Sequence, residues 1–449
     1  MRIHFIAIGG SIMHSLAIAL NRQGHQVSGS DDKVYDPAKS KLEAEGLLPE
    51  EMGWHPEKIS KDLDVVILGM HAFTDNPELL KAQELGLTIY SFPEFMYAYS
   101  KQKQRMVIAG SFGKSSVTSM IMHVLKHVGK KFDYMVGAQV PGFEQSVSLS
   151  EDAPLIIMEG DEYLSSRIDP QPKFLHYKPH ILVLTGISWD HINVFPSLEE
   201  YHEQFDKLLA SQEKASSIIY AKDDKVLKNM VEKNMVDDVH YPIPFSTPKY
   251  KVKEGKFILS IQKQSATLEV IGEHNMRNLA AAWEACRLVG VELPSFLEAI
   301  QTFKGANSRL ETVPSSSGSI VYKDYAHAPA KVEATVKAVR EQYPGKNLIA
   351  CLELHTFSSL TKSFLPQYKG SLDPADSKLV YINPETVKAK RLEAISEKEL
   401  QQAFASSDVH LLENKEDILP ALKGKVSGND VILMMSSGNF SGLDLKEIG

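Results

Sequence analysis

Short apolar runs punctuate the chain at intervals, and each gives way to a stretch in which apolar positions recur every three or four residues. The runs are IHFIAI (3–8), DVVILG (64–69), MVIA (106–109), LIIME (155–159), HILVLTGI (180–187), SIVYKDYA (319–326), NLIACLE (347–353), KLVYI (378–382) and VILMMSS (431–437). Uninterrupted apolarity of this kind suits strands covered on both faces, as in parallel sheets, rather than strands with one wet face. The alternation of such runs with helical periodicity predicts an α/β fold with right-handed crossovers. One segment departs from the pattern. Residues 241–272 alternate apolar and polar positions, which predicts a small antiparallel patch added to the middle of the chain. No solenoid-length repeat and no low-complexity tract interrupts the series.

At 449 residues the chain is too long for one ordinary core. The polar stretch YSKQKQR (99–105) and the Ser, Pro and Gly-rich stretch ETVPSSSGS (311–319) are the natural boundaries. They predict three domains, 1–102, 103–311 and 312–449, each of ordinary size. A composition of 43% hydrophobic and 24% charged residues argues against disorder. Lys plus Arg total 49 against 57 for Asp plus Glu, a net charge of −8, which argues against a general nucleic-acid binder. The two cysteines, Cys286 and Cys351, sit in apolar segments without a Cys-x-x-Cys pattern and read as buried thiols. The opening apolar run is too short for a signal-peptide core or a membrane span, so a cytoplasmic protein is expected, with no membrane insertion.

Candidate chemistry begins at AGSFGKSS (109–116), between the apolar run MVIA and a helical segment. Gly113-Lys114-Ser115 matches the end of a phosphate-binding loop, but Ile108 stands where the full motif has its first glycine. Gly110, Ser111, Gly113, Lys114, Ser115 and Ser116 would present backbone N–H groups and a cation to an anion at a helix start. The Ser115 hydroxyl is of the type that ligates Mg²⁺. An ordinary strand–helix turn with a solvated lysine explains the same residues.

The next run ends in MEGDEY (158–163), whose acids Glu159, Asp161 and Glu162 stand where an α/β nucleotide site places a metal ligand; a solvated acidic turn is the alternative. SWDHINVF (188–195) offers His191 for a metal or phosphate, although a lone histidine is more often structural. In GEHNMRN (272–278), Asn275 and Asn278 lie three apart on one helix face, suited to amide bonding with a base or phosphate or, for Asn275, to capping. Near the N-terminus, Gly9 and Gly10 precede a helix beginning about Ser11, and Asp31 ends the next run, about where an acid meets a ribose.

Taken in order, these motifs resemble the Mur ligase family, the ATP-dependent amino-acid and peptide ligases of peptidoglycan synthesis, over essentially the whole chain. The family's loop is Gly-x-x-Gly-Lys-Thr/Ser, which accounts for the missing first glycine. Glu159 in MEGDE, His191 in DHIN, Asn275 and Asn278 in HNMRN, Arg309 in NSRLE and Asp324 in KDYAHAP fall on its other motifs. The resemblance implies a Rossmann-like N-terminal domain, a central P-loop-type ATPase domain and a C-terminal Rossmann-like domain that closes over the nucleotide. It implies ATP and Mg²⁺ as cofactors, and UDP-N-acetylmuramate with a peptide or amino-acid acceptor as substrates. Gly9, Gly10, Ser11, Asp31 and His71 would bind the UDP-sugar. Ser115, Glu159 and His191 would hold metal. Asn275, Asn278, Arg309 and Asp324 would contact nucleotide, and Lys114, His191, Asp324 and His327 would serve catalysis.

Two branches fit: one adds L-alanine to UDP-N-acetylmuramate, the other adds the tripeptide L-Ala-γ-D-Glu-meso-diaminopimelate during cell-wall recycling. EGDEYLSSRIDPQPKFLHYKPHILVL and VGAQVPGFEQS look more like the recycling branch, and Lys173 and His176 belong to that stretch. Departures are Phe112 for His or Asn, Ala328 in a usual His-His-Pro, Ser359 for an arginine, and Ala7 and Ile12 for glycines. Phe205 replaces the carbamylated lysine of other members, as in both branches. The implied reaction passes a phosphoryl group from ATP to the muramyl carboxylate, and the acceptor amine then displaces phosphate. A dinucleotide-dependent oxidoreductase, suggested by Gly9-Gly10 and Asp31, leaves Lys114 and Glu159 unexplained. A catalytically silent nucleotide-binding scaffold stays open because of Phe112 and Ala328.

Overall fold

The computed structural model describes residues 1–189, 194–235, 239–305, 310–314, 318–424 and 430–448. They group into two compact units. One comprises Met1–Ile187, His202–Ser246 and Ala281–Phe296; the other comprises Ser188–Tyr201, Thr247–Ala280 and Leu297–Gly449.

The first unit holds two parallel-dominated sheets. The N-terminal sheet has four parallel strands in the order Gln26–Ser30, Arg2–Ile6, Val65–Leu68, Ile89–Ser91. Ile6 stands opposite both Ser30 and Leu68, so the segments after these three strands leave the sheet at one edge. Chain order reverses between the first and third strands, and the crevice at such a reversal is where open α/β sheets take ligands. Beneath it, buried His4 and Glu78 pair at 3.2 Å. Burial opposes ionisation of Glu78, but its bonds to His4, Ser30 and the His55 N–H prevail and hold its carboxyl below the usual range. The last helix of this region, Phe92–Tyr99, starts at a capping box in which Ser91 and Glu94 satisfy one another's backbone donors.

The larger sheet has seven strands in the order Tyr241–Phe245, Ser217–Ala221, Ile181–Leu184, Gln104–Ala109, Leu155–Gly160, Asp133–Met135, Val147–Ser148. Only the last pairs antiparallel. Its three central strands are buried almost throughout, as their unbroken apolar sequences require. Ala109 is level with Gly160 on one side and Leu184 on the other. The segments beginning at Gly110, Asp161 and Thr185 therefore emerge side by side.

The second unit contains a six-stranded sheet in the order Glu311–Val313, Ile320–Asp324, Asp430–Met435, Asn347–Glu353, Ser377–Tyr381, Val409–Leu412, parallel except for its first strand. It also contains a separate antiparallel meander, Lys249–Lys253, Lys256–Ile261 and Gln264–Leu268. The alternating stretch 241–272 thus divides. Tyr241–Phe245 is a parallel edge strand of the seven-stranded sheet, where its two prolines need no ladder partner on the outer side, and only the remainder is antiparallel. Among the described residues no helix is long and apolar enough to cross a membrane.

Cys286 and Cys351 are free and fully buried, and burial pushes both thiols far above their ordinary pKa, with Glu353 adding to the shift of Cys351. A thiol-exchange reagent should therefore titrate neither in the native protein and both after denaturation. A thiol that reacts rapidly under native conditions would contradict this packing.

Candidate functional site

The loop after Gln104–Ala109 turns on two glycines in left-handed backbone conformations, Gly110 (φ 128°) and Gly113 (φ 82°). Gly110 is obligatory for a second reason. A Cβ there would overlap the Thr185 hydroxyl and come within 2.8 Å of the Gly186 carbonyl. Those two residues hold the loop. The Thr185 hydroxyl donates to the Phe112 carbonyl, and the Ser111 N–H donates to the Gly186 carbonyl at 2.9 Å. Ser111 is accordingly buried and faces the loop's base rather than its mouth.

The helix Lys114–His127 begins immediately after Gly113, with no side-chain cap and no acidic residue in its first turn. Its first ladder bond runs from the Val117 N–H to the Gly113 carbonyl. The N–H groups of Lys114, Ser115 and Ser116 precede that ladder, and the dipole's positive end is left to an external anion.

Lys114 lies over this opening. Its ammonium donates to the Gly110 carbonyl at 2.6 Å and to Glu162 Oε2 at 2.9 Å. Burial would lower its pKa, but the attraction of Glu162 and Asp161 wins and raises it, so the side chain is a fixed cation. Glu159 is 4% exposed. Its Oε2 accepts from the Gly137 N–H at 2.8 Å, whereas Oε1 is buried with no hydrogen-bond partner among the described residues. Burial and then Asp161 raise its pKa, opposed by the neighbouring Ser115 hydroxyl, the Gly137 N–H and Lys114. A buried carboxylate oxygen with no hydrogen-bond partner beside a serine hydroxyl is an all-oxygen donor pair that fits a hard divalent cation such as Mg²⁺.

At the N-terminal sheet, Gly9, Gly10, Ser11, Asp31 and His71 gather at the shared carboxyl edge. Asp31 Oδ2 accepts from the Gly9 N–H at 2.7 Å, so the acid fastens the glycine turn. Burial raises its pKa, with the Gly9 N–H opposing. Gly9 itself has no room for a side chain, since a Cβ would lie 2.9 Å from Val34. Ala7 occupies a left-handed conformation (φ 66°), which explains why a glycine is the expected residue there. Ser11 and His71 are exposed.

The second unit carries the remaining positions. The Asn275 amide donates to the Ile271 carbonyl at 2.8 Å from inside the helix Glu273–Leu288, so it does not cap that helix; Asn278 is buried on the same face. Asp324 accepts from the Leu310 and Ala326 N–H groups, each at 2.7 Å, and from Thr335, organising the turn after its strand. His327 is half-buried, its Nδ1 2.9 Å from the Tyr325 carbonyl. His191 and Arg309 lie outside the described residues. Lys173 and His176 pair with Asp161 and Asp169 at 3.3 and 2.7 Å. The sequence pattern does not single out Glu162 or Thr185. Glu162 is visible only as one of three acids in MEGDE, and Thr185 only as the end of an apolar run.

Family models match in chain order: Mur ligase family, catalytic domain over 2–104; Mur ligase middle domain over 108–286; and Mur ligase, glutamate ligase domain over 308–438. The UDP-N-acetylmuramate–L-alanine ligase of Caldanaerobacter subterraneus subsp. tengcongensis is 30% identical, covering 98% of this chain and 95% of the relative. The chain belongs to the Mur ligase family. It is an ATP-dependent ligase that forms a carbon–nitrogen bond, built on that family's three-domain α/β fold. Another Mur ligase relative, the UDP-N-acetylmuramate–L-alanyl-γ-D-glutamyl-meso-2,6-diaminoheptandioate ligase of Escherichia coli K12, is 29% identical over 99% of this chain and 97% of its own length. Among solved Mur ligases, a murein peptide ligase from Psychrobacter arcticus shares the fold with a TM-score of 0.66 at 22% identity, over 98% of this chain and 97% of that one.

The raised pKa of Glu159 sets a sign. Between the ordinary carboxylate pKa and the raised one the folded state holds more protons than the unfolded, so metal-free stability falls as pH rises through that window. Glu159→Gln, which stays neutral, should therefore gain melting temperature over the parent at pH above the raised pKa and lose that advantage as pH falls toward the ordinary carboxylate range. It should also demand more Mg²⁺ for activity. A variant less stable than the parent at the higher pH would show that the carboxylate supports the fold instead.

Proposed function

We propose that the chain joins UDP-N-acetylmuramate to L-Ala-γ-D-Glu-meso-diaminopimelate at the expense of ATP, through an acyl phosphate, in the cytoplasm as part of peptidoglycan recycling. The domains 1–102, 103–311 and 312–449 would bind UDP-sugar, bind ATP and complete the ligase. The observation that carries the phosphoryl chemistry is the meeting, at one sheet edge, of an uncapped helix start, the fixed cation Lys114 and the buried, unbonded oxygen of Glu159.

The loop N–H groups and Lys114 would seat the polyphosphate and neutralise charge that grows on the transferred phosphoryl group. Ser115 and Glu159 would hold Mg²⁺, with His191 a further ligand by family resemblance; the ion supplies charge neutralisation on phosphate oxygens. Gly9, Gly10 and Ser11 would approach the diphosphate of the sugar nucleotide, with Asp31 keeping that turn in shape and His71 across the crevice. Asn275, Asn278, Arg309, Asp324 and His327 are assigned to nucleotide and catalysis by resemblance. The chain need supply no covalent nucleophile, because the acyl phosphate already carries a good leaving group.

The tripeptide acceptor is supported by the E. coli relative and by the stretch 159–184. Free L-alanine is the second reading, favoured by the relative at 30% identity. Lys173 and His176 are already paired with acids of their own domain, so the distal carboxylates of a tripeptide need other partners. Both acceptors offer the same α-amine, and only the remainder of the acceptor distinguishes them. Competition between the two should favour the tripeptide by about a hundredfold or more in kcat/KM. Equal or better use of L-alanine would move the chain to the alanine-adding branch. Lys114→Ala should lower turnover by at least about a hundredfold in a folded protein, and near-normal turnover would remove Lys114 from the reaction.

A further inference from the structure

Two lysines flank the strand Gln104–Ala109, Lys103 just before it and Lys114 at the start of the helix after it; both pair with acids, and they differ in how their donors are spent. An ammonium has three N–H donors. Lys103 is met by three oxygens: it donates to the Ser150 carbonyl at 2.6 Å and to the Ala153 carbonyl at 2.9 Å, and Asp133 Oδ2 lies 2.8 Å away as its ion-pair partner. That lysine is complete and structural. Lys114 uses two, on the Gly110 carbonyl and on Glu162, and no third partner appears among the described residues. Its side chain is 13% exposed and that of Glu162 only 1%.

Glu162 is also the acid whose placement is hardest to explain as ordinary surface chemistry. Asp161 turns to Lys173, and Glu159 accepts from the Gly137 N–H, whereas Glu162 reaches the ammonium directly. The Gly110 carbonyl belongs to the loop itself, fixed by a glycine that admits no substitute. A flexible four-carbon side chain held at two points, one on the loop and one on the segment that follows the neighbouring strand Leu155–Gly160, has little freedom left at its head.

We propose that Glu162 is a positioning residue for Lys114. With the Gly110 carbonyl it anchors two of the ammonium's three donors and leaves the third for an anion seated in the loop, so the orienting entropy is settled before the nucleotide arrives. The inference rests on the reading of Lys114 as a phosphate ligand. Glu162 touches no substrate in this scheme and acts through the lysine.

The test is a kinetic cycle on the full chain, with phosphate release measured in the presence of ATP, Mg²⁺, UDP-N-acetylmuramate and tripeptide. Displacements of this kind are costly, and Glu162→Ala should lower kcat by about tenfold or more while changing the KM for ATP less. Glu162→Gln, whose amide oxygen still accepts from the ammonium, should recover most of that loss. In a Lys114→Ala background, adding Glu162→Ala should cost nothing further. If Glu162→Ala does not fold, Glu162→Asp, which withdraws the anchor by one methylene and keeps the charge, takes its place in the same cycle. An equal loss in Glu162→Gln and Glu162→Ala, or a second full loss in the Lys114→Ala background, would overturn the inference. Absence of ATP-dependent ligation in the parent would instead overturn the functional reading beneath it. A normal parent and an impaired Lys114→Ala beside unimpaired Glu162 variants would sink this inference alone.

Discussion

The Lys114 ammonium sits among Glu159, Asp161 and Glu162 with little access to water, and its positive charge is what lets the acids share that space. Carboxylates gathered in a poorly solvated cluster repel one another and resist ionisation, and Glu159 carries the sign of that resistance in its raised pKa. Remove the lysine and the cluster loses the partner that offsets its desolvation, a larger effect than a surface ion pair could have. Everything else at this edge of the sheet serves to bring the charges together. Parallel register sets Ala109, Gly160 and Leu184 at one level. Gly110 lets the loop press against Thr185 and Gly186. Gly113 turns the chain directly into the helix, so that Lys114 is at once the first helical residue and the cation over its N-terminus.

The N-terminal sheet solves a related problem with different means. Its glycine turn also joins a strand to a helix, but no lysine follows and the acid of the neighbouring strand bonds the turn's own backbone. Asp31 spends an oxygen on the Gly9 N–H, which keeps the turn open without adding positive charge. A turn of this kind suits a ligand approached mainly by backbone, whereas the central loop, with its fixed cation and acidic wall, suits a polyphosphate accompanied by a metal. One chain thus carries two glycine turns of different electrostatic character, as the proposed joining of a sugar nucleotide at the expense of ATP would require.

Much of this was legible from residue pattern because parallel strands buried on both faces write themselves as apolar runs; all nine runs contain strands. Strands the pattern does not mark are mostly short or at sheet edges, where one side is wet and the apolar signal thins, as in Gln26–Ser30 and Val409–Leu412. The buried strand Ser217–Ala221, one in from the sheet edge, is an exception: its sequence is apolar enough, and it sits too close to polar flanks for a run to stand out. Loop chemistry was legible at Lys114, Ser115 and Glu159 because the spacing is tied to a strand–helix junction. Glu162 and Thr185 were not, since their importance comes from register across the sheet, which no local spacing encodes. The alternating stretch 241–272 shows the same limit from the other side. Alternation correctly signals half-buried strands but says nothing about which sheet each joins.

The measurement that bears most directly on the account is phosphate and ADP release from ATP, followed while UDP-N-acetylmuramate and the tripeptide are supplied separately and together. The account predicts stoichiometric ADP, phosphate and amide product only when all three substrates and Mg²⁺ are present. Saturable ATP binding with no ADP formed under any combination of acceptors would contradict it and leave a nucleotide-binding scaffold in its place.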